Sequence, residues 1–297
     1  MSSPLISVVM SVYNGEKYLD EAVQSILDQT FPDFEFIIIN DGSTDATLEM
    51  LEKYKAKDNR IVLVSRENKG LVASLNEGIS LAKGKYIARM DADDISFPER
   101  FFEQCRLMEF KQLDICGCHY EVINAESKKI DFCLTPLGMT TLRLYLLLSV
   151  PFAHGSVMIR RGFLEEKNLV YGTFWKNAED KGLWIEMYRN GARFDNVDQV
   201  LFRYREFNMS LSKRNKNKLA SDVKRMRANF IKEELDFLIE DVSLLANDIE
   251  KLSYREVELL SDTIFLIILK AGNLKLIKYI PLIPARFKVI SFFKLFK

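Results

Sequence analysis

The first 90 residues switch repeatedly between two hydrophobic periods, and that alternation limits the fold more than any single motif. "LISVVMSV" (5–12) is a near-continuous apolar run, as in a strand covered on both faces. "EKYLDEAVQSILDQT" (16–30) then spaces Leu19, Val23, Ile26 and Leu27 at helical intervals. "FEFIIIN" (34–40) predicts a second buried strand, and "TDATLEMLEKYKA" a second helix with Ser43 or Thr44 as its cap. "IVLVS" (61–65), "LVASLNEGISLAK" (71–83) and "KYIARM" (85–90) repeat the cycle as strand, helix, strand. Strands and helices in alternation imply an α/β fold, a parallel sheet covered by helices. Beyond residue 110 the pattern loosens. "FAHGSVMIRR" (152–161) predicts a strand, and "NAEDKGLWIEMYRNG" (177–191) a helix opened by acids and closed by glycine. From about residue 216 the chain reads as helical and basic, which divides it into a sheet-containing domain, 1–215, and a helical extension, 216–297.

Open parallel sheets bind ligands beyond the carboxyl ends of their strands. Four polar clusters stand there: Tyr13-Asn14-Gly15, Asn40-Asp41-Gly42-Ser43, Arg66-Glu67-Asn68-Lys69-Gly70 and Asp91-Ala92-Asp93-Asp94. The topology puts all four on one edge, and their convergence says more than any one of them.

Their residue types narrow the chemistry. Neither G-x-G-x-x-G nor G-x-x-x-x-G-K-[ST] occurs, which disfavours a dinucleotide dehydrogenase and a P-loop NTPase. Tyr13 offers a flat face for stacking. Ionised Asp41 accepts hydrogen bonds only, which suits an imide N–H or sugar hydroxyls, although Asp-Gly-Ser is also ordinary turn chemistry. Asp91, Asp93 and Asp94 repel one another unless something cationic lies between them. Mg²⁺ and Mn²⁺ take oxygen ligands and often use one or two carboxylates plus substrate phosphates. The competing reading is a solvated acidic turn ahead of a helix. Glu179-Asp180 offers a carboxylate as general base, or simply acids that complement a helix N-terminus.

Taken together, these segments resemble the family 2 glycosyltransferases, which have a GT-A fold. "ISVVMSVYNGEKYLDEAVQSILDQT" resembles the family's opening strand and helix, and "FEFIIINDGSTDAT" its nucleotide-binding turn. "NKGLVASLNEGISLAKGKYIARMDADDIS" resembles the run into its D-x-D motif, "AEDKGLWIEM" the segment bearing its base, and "YREFNMSLS" (204–212) its closing loop. The resemblance implies a Rossmann-like, mostly parallel sheet flanked by helices. It also implies transfer of a sugar from a nucleotide-sugar, with UDP the default nucleotide, to an acceptor hydroxyl with inversion. Tyr13, Asp41 and Asn68 would line the nucleotide site. Asp91 and Asp93 would hold Mg²⁺ or Mn²⁺, Asp93 most directly, and Asp180 would be the base. The chain departs from the pattern at Asn40, where many relatives carry Asp, and at Ser11, where many carry Pro. It departs again in the closing loop, where many carry a metal-ligating histidine and this chain has Arg205, Glu206 and Phe207. The third metal ligand is left open between Glu206 and water, or Arg205 binds phosphate directly. His154 matches a position near the family's acceptor pocket, or is a structural histidine. Trp184 reads as core.

The totals set outer limits. Acids and bases balance at 42 each, so no global charge points to nucleic acid. The four cysteines show no Cys-x-x-Cys or zinc spacing, as expected of reduced thiols in a cytoplasmic protein. "MSSPLISVVM" lacks the features of a signal peptide. No apolar run reaches the roughly 18 residues of a membrane span. After Asp262 only basic charges follow, interleaved with "LIKYIPLIP" and "FKVISFFKLF". This pattern suits either an element lying on an anionic membrane surface, which would bring the enzyme to a lipid-linked saccharide acceptor, or helices packed with their lysines solvated. A nucleotidyltransferase and a non-catalytic sugar-nucleotide module are the alternatives. The first would want a basic, glycine-rich first loop, and the second would have lost the acids.

Overall fold

The computed structural model describes residues 3–173, 178–206, 216–271, 274–284 and 288. Strands β1 (Ile6–Val12), β2 (Phe34–Asp41), β3 (Ile61–Arg66) and β4 (Tyr86–Asp91) lie parallel in the order β3-β2-β1-β4. Helices α1 (Leu19–Leu27), α2 (Thr47–Lys57) and α3 (Leu71–Leu81) connect them. All eight residues of β2 are buried, which is why it reads as an unbroken apolar run. Ser7 and Glu35 are buried polar exceptions with a purpose. Ser7 Oγ donates to Glu35 Oε1 (2.7 Å), and the two accept the N–H groups of Gly84 and Lys83 (2.8 Å each), fixing the chain as it enters β4.

Helix α2 starts later than expected. Neither Ser43 nor Thr44 caps it, because both are used to tie the turn after β2 to Asn14; Asp45 Oδ1 instead accepts the N–H of Thr47 (3.0 Å).

The sheet continues through less regular pieces: β5 (Ile95–Ser96), β6 (Ile115–Ile123), β7 (Lys129–Cys133), β8 (Met158–Arg160) and β9 (Phe194–Arg205). The order beyond β4 is β8-β6-β9-β5, with β7 on β6; β6 and β9 run parallel, and β4–β8, β6–β8 and β5–β9 antiparallel. Helix α4 (Arg100–Lys111) lies between β5 and β6. The strand expected over 152–161 proves to be three elements. A 3-10 turn (His154–Ser156) precedes the three-residue β8, and α6 (Arg161–Glu166) follows it. Helix α7 (Glu179–Arg189) opens with the two acids, as read from the sequence.

Cα packing divides the chain into Met1–Thr135 with Phe152–Arg214, and Pro136–Pro151 with Asn215–Lys297. The second unit is helical: α5 (Met139–Leu148), α8 (Lys216–Glu233), α9 (Leu235–Asn247), α10 (Tyr254–Ala271) and a 3-10 segment, Leu274–Leu282. Its interior holds Leu142, Leu146, Phe230, Leu238, Val242, Leu260 and Ile267. Arg227 donates to the carbonyls of Leu147 (3.1 Å) and Leu148 (2.7 Å), satisfying the C-terminal end of α5. A segment from mid-chain thus belongs with the C-terminal helices. Among the described residues, no helix is long and apolar enough to cross a membrane.

Candidate active site

The four clusters meet at the carboxyl edge of β1–β4. Strand register sets the spacing: Ser11 of β1 lies beside Asp91 of β4, and Asp41 of β2 beside Arg66 of β3. The turn after β1 is tied to the turn after β2. Asn14 N–H donates to Ser43 Oγ (2.9 Å), Thr44 N–H to Asn14 Oδ1 (2.8 Å), and Gly15 N–H to Thr47 Oγ1 (2.8 Å). Asn14 adopts φ +52°, a left-handed conformation that Asn tolerates. With its neighbours so held, Tyr13 stands 54% exposed, its ring free to stack.

Asp41 is buried and spans two clusters. Oδ1 accepts the N–H of Lys69 (2.8 Å) and the Arg66 guanidinium, and Oδ2 accepts the N–H of Gly70 (2.9 Å). Burial raises its pKa, but the bonds from Lys69 and Arg66 outweigh this and hold the carboxyl below its ordinary range. Arg66 is fixed in turn by Glu77 (2.7 Å) and Ser74 (2.9 Å) on α3. Gly42 has φ +75°, and a Cβ there would lie 2.6 Å from the Asn68 backbone nitrogen, so the turn passes against the third cluster only as glycine. Asn68 itself is exposed.

The acidic cluster is unevenly satisfied. Asp91 Oδ1 takes a bond from Arg89 Nη2 (2.7 Å), and despite burial the Arg89 charge holds its pKa low. Asp93 is pushed up to about 6 by burial and by Asp91. Asp94 is buried: Oδ1 accepts the Arg205 N–H (2.7 Å), Oδ2 has no hydrogen-bond partner, and burial with the charges of Asp93 and Asp91 drives its pKa well up. Three carboxylates thus share a site in which burial and mutual repulsion raise the pKa of Asp93 and Asp94. An orphaned carboxylate oxygen beside a partly exposed Asp91 fits a divalent cation, which favours oxygen ligands. Among the described residues, no three His, Cys, Asp or Glu side chains form a preassembled metal cage. The fit is therefore of the kind in which one or two carboxylates share the ion with phosphate oxygens.

Arg205 does not present a free guanidinium. It is fully buried, donating to Asp93 O (2.6 Å), Asn124 O (3.1 Å), Ser127 Oγ (2.8 Å) and Glu21 Oε2 (2.6 Å), over the ring of Tyr18. Glu206 begins the segment beyond β9; Phe207 and the rest of the expected closing loop lie outside the described residues.

Asp180 and Glu179 form the first turn of α7. The charges of Asp180 and Asp91 both act on His154 and on Tyr171, so these two side chains lie within electrostatic range of the acids of α7 and of β4. His154 Nε2 pairs with Tyr171 Oη (2.9 Å), and Asn76 clamps Tyr171 through both its N–H and its C=O (2.9 Å each). Burial and then the Arg89 charge push His154 down to about 4, so its imidazole is neutral at pH 7. Trp184 is fully buried against Phe152, His154 and Tyr171, as read. The sequence reading missed Arg89, Tyr171, Asn76 and Glu21. Only Arg89 left a local signal, as a charge inside an otherwise apolar strand.

Glu179 is raised to about 7, by burial first and by Asp180 second, with Asp91 adding to the rise and Arg89 opposing it. An acid with a raised folded-state pKa keeps its proton longer when folded. Stability is therefore lost as pH climbs from the unfolded value of about 4.5 to about 7. Glu179→Gln removes that loss. The expected result is a variant whose stability gain over the parent grows by about 1–3 kcal/mol between pH 5 and pH 8, read by chemical denaturation. A pH-independent difference would contradict it.

A mostly parallel sheet flanked by helices, with polar turns and an acidic cluster at the carboxyl edge of its strands, is the architecture of a GT-A fold. The family model for glycosyl transferase family 2 matches residues 7–168. An uncharacterized glycosyltransferase of Haemophilus influenzae is 32% identical over 82% of this chain and 80% of its own length. The O-antigen biosynthesis glycosyltransferase WbnJ of Escherichia coli is 33% identical over 70% of this chain and 82% of its own. The structure of Staphylococcus aureus TarS (1–349) in complex with UDP-GlcNAc superposes with TM-score 0.62 at 20% identity, covering 95% of this chain and 82% of that one. The chain belongs to glycosyltransferase family 2. It is an enzyme of that class, a glycosyltransferase.

Proposed function

We propose that the enzyme moves a sugar from a nucleoside-diphosphate sugar, UDP by default, to an acceptor hydroxyl with inversion, using Mg²⁺ or Mn²⁺. The observation that carries this is the gathering of the polar clusters at the carboxyl edge of β1–β4, where the acidic cluster holds a buried carboxylate oxygen with no hydrogen-bond partner. Tyr13 stacks on the base and Asn68 lines the ribose side. Asp41 orders that turn and keeps acceptor capacity on Oδ2, which takes only one N–H. Asp93, with Asp91, would hold the cation, which would supply positive charge against that developing on the diphosphate leaving group. Asp180 takes the acceptor hydroxyl proton as the oxygen bonds to the anomeric carbon and the electron pair of the breaking C–O bond leaves with the diphosphate. Neutral His154, held by Tyr171, shapes the acceptor side. Arg205 acts by holding Asp93 and Asp94 rather than by touching phosphate.

The O-antigen relative supports a saccharide or lipid-linked acceptor in surface polysaccharide assembly, and the UDP-GlcNAc complex of the structural neighbour supports UDP as the nucleotide. Proton NMR of UDP-sugar turnover with Mn²⁺ tests the reading. An inverted anomeric product is expected, and a retained one overturns the single displacement.

The free cysteines suit a cytoplasmic setting. In the 3-10 segment, Ile277 and Leu282 are exposed beside exposed Lys275 and Lys278, which supports contact with an anionic membrane; the second apolar stretch lies outside the described residues, apart from Lys288. Ile277→Ser with Leu282→Ser should reduce flotation with anionic vesicles, and equal flotation of variant and parent would sink this part of the reading.

A further inference from the structure

Arg100 opens α4 and is completely buried, with no carboxylate bonded to it. Burying a cation this way is unfavourable unless its hydrogen bonds are well placed. Its guanidinium lies between the rings of Phe101 (4.9 Å) and Phe202 (5.4 Å). One amino group donates to the carbonyl of Arg89 (3.0 Å), two residues before Asp91, and the other to the carbonyl of Gly155 (3.1 Å), in the turn after His154. Arg100 therefore ties the strand that carries the acidic cluster to the turn opposite it.

Gly155 is where that turn meets the acids. A Cβ there would lie 2.8 Å from Asp91 Oδ2, 2.9 Å from Asp94 Oδ2 and 2.8 Å from Phe202 Cζ. Its φ is one that alanine can adopt, so glycine is required by the two carboxylates and the ring rather than by the backbone. The unpartnered oxygen of Asp94 and the outer oxygen of Asp91 thus rest on one bare Cα.

We propose that Arg100 and Gly155 are positioning residues for the cation-binding carboxylates. Arg100 fixes the distance between β4 and the 154–156 turn, and Gly155 sets how far Asp91 and Asp94 reach toward it. This rests on the reading that Asp91 and Asp93 hold a divalent cation. Outer-shell supports of this kind, when removed, weaken metal binding without touching the ion.

The test is Mn²⁺ titration of the full chain with UDP present, against a blank of UDP alone, followed by loss of the free-ion electron paramagnetic resonance signal, with melting temperature recorded alongside. Gly155→Ala pushes on the carboxylates from the turn side. Arg100→Lys keeps the charge but cannot bridge both carbonyls with a planar fork. Leu51→Ala, on the buried face of α2, is the control that lowers stability alone. The expected result is Mn²⁺ affinity reduced about 10-fold or more in both site variants and unchanged in the control. Should one site variant fail to fold, the other decides. Parent-like Mn²⁺ affinity in the folded variants overturns the proposal while the metal reading stands. A parent that binds no Mn²⁺ overturns the metal reading, and this inference with it.

Discussion

Asp180→Asn lowers donor turnover by about 10²- to 10⁴-fold, the usual contribution of a general base, and leaves the affinity for UDP with Mn²⁺ unchanged. Asparagine preserves the shape of the side chain and its bond from the Lys181 N–H (2.6 Å in the parent), but it cannot take a proton. The loss should therefore fall on kcat, with the donor KM little altered. Glu179→Gln is the internal comparison. Glu179 also lies in the first turn of α7, and its raised pKa falls in the range a general base uses, so the two variants together decide between the neighbours. If the Glu179 variant lost more turnover than the Asp180 variant, the base assignment would move one residue back. Steady-state rates of UDP release settle the order.

Arg205→Met destabilises the fold by about 3 kcal/mol, and the size of that effect separates two roles for one residue. A phosphate-reading arginine would be dispensable for stability and costly for nucleotide affinity. In the structure every nitrogen of the guanidinium is engaged by Asp93, Asn124, Ser127 or Glu21, at zero side-chain exposure. Its removal leaves the Asp93 carbonyl and the Glu21 carboxylate without their guanidinium partner and loosens the β6–β7 turn from α1. Denaturation with urea gives the stability, and calorimetry the affinity. An unchanged midpoint with lost UDP binding would restore the phosphate role.

These residues show what the sequence could and could not disclose. The first half was legible because buried parallel strands and amphipathic helices impose distinct periods, and each strand ends in a polar cluster. The second half was not, because β6 and β9 pair across some 70 intervening residues and β8 is three residues long, too short to carry a period. Segment 136–151 joins the C-terminal helices through contacts that no local pattern encodes. Within the site, acids at strand ends could be picked out one by one. Their partners could not: Arg205 sits in a strand like any β-sheet arginine, and only the fold brings Glu21 to it. Gly155 lay inside a segment read as a strand, whereas two carboxylate oxygens lie against the place its side chain would fill.

The central claim is that the carboxyl edge of β1–β4 is a metal-dependent nucleoside-diphosphate site. The most direct test is calorimetric titration of UDP, GDP, dTDP and CMP into the parent and into Asp93→Ala, each with Mn²⁺ and with EDTA. The account predicts that one diphosphate binds the parent with Mn²⁺ and that the binding vanishes both in EDTA and in the variant. Binding that is indifferent to metal and to Asp93, or no binding by any of the four, would contradict it.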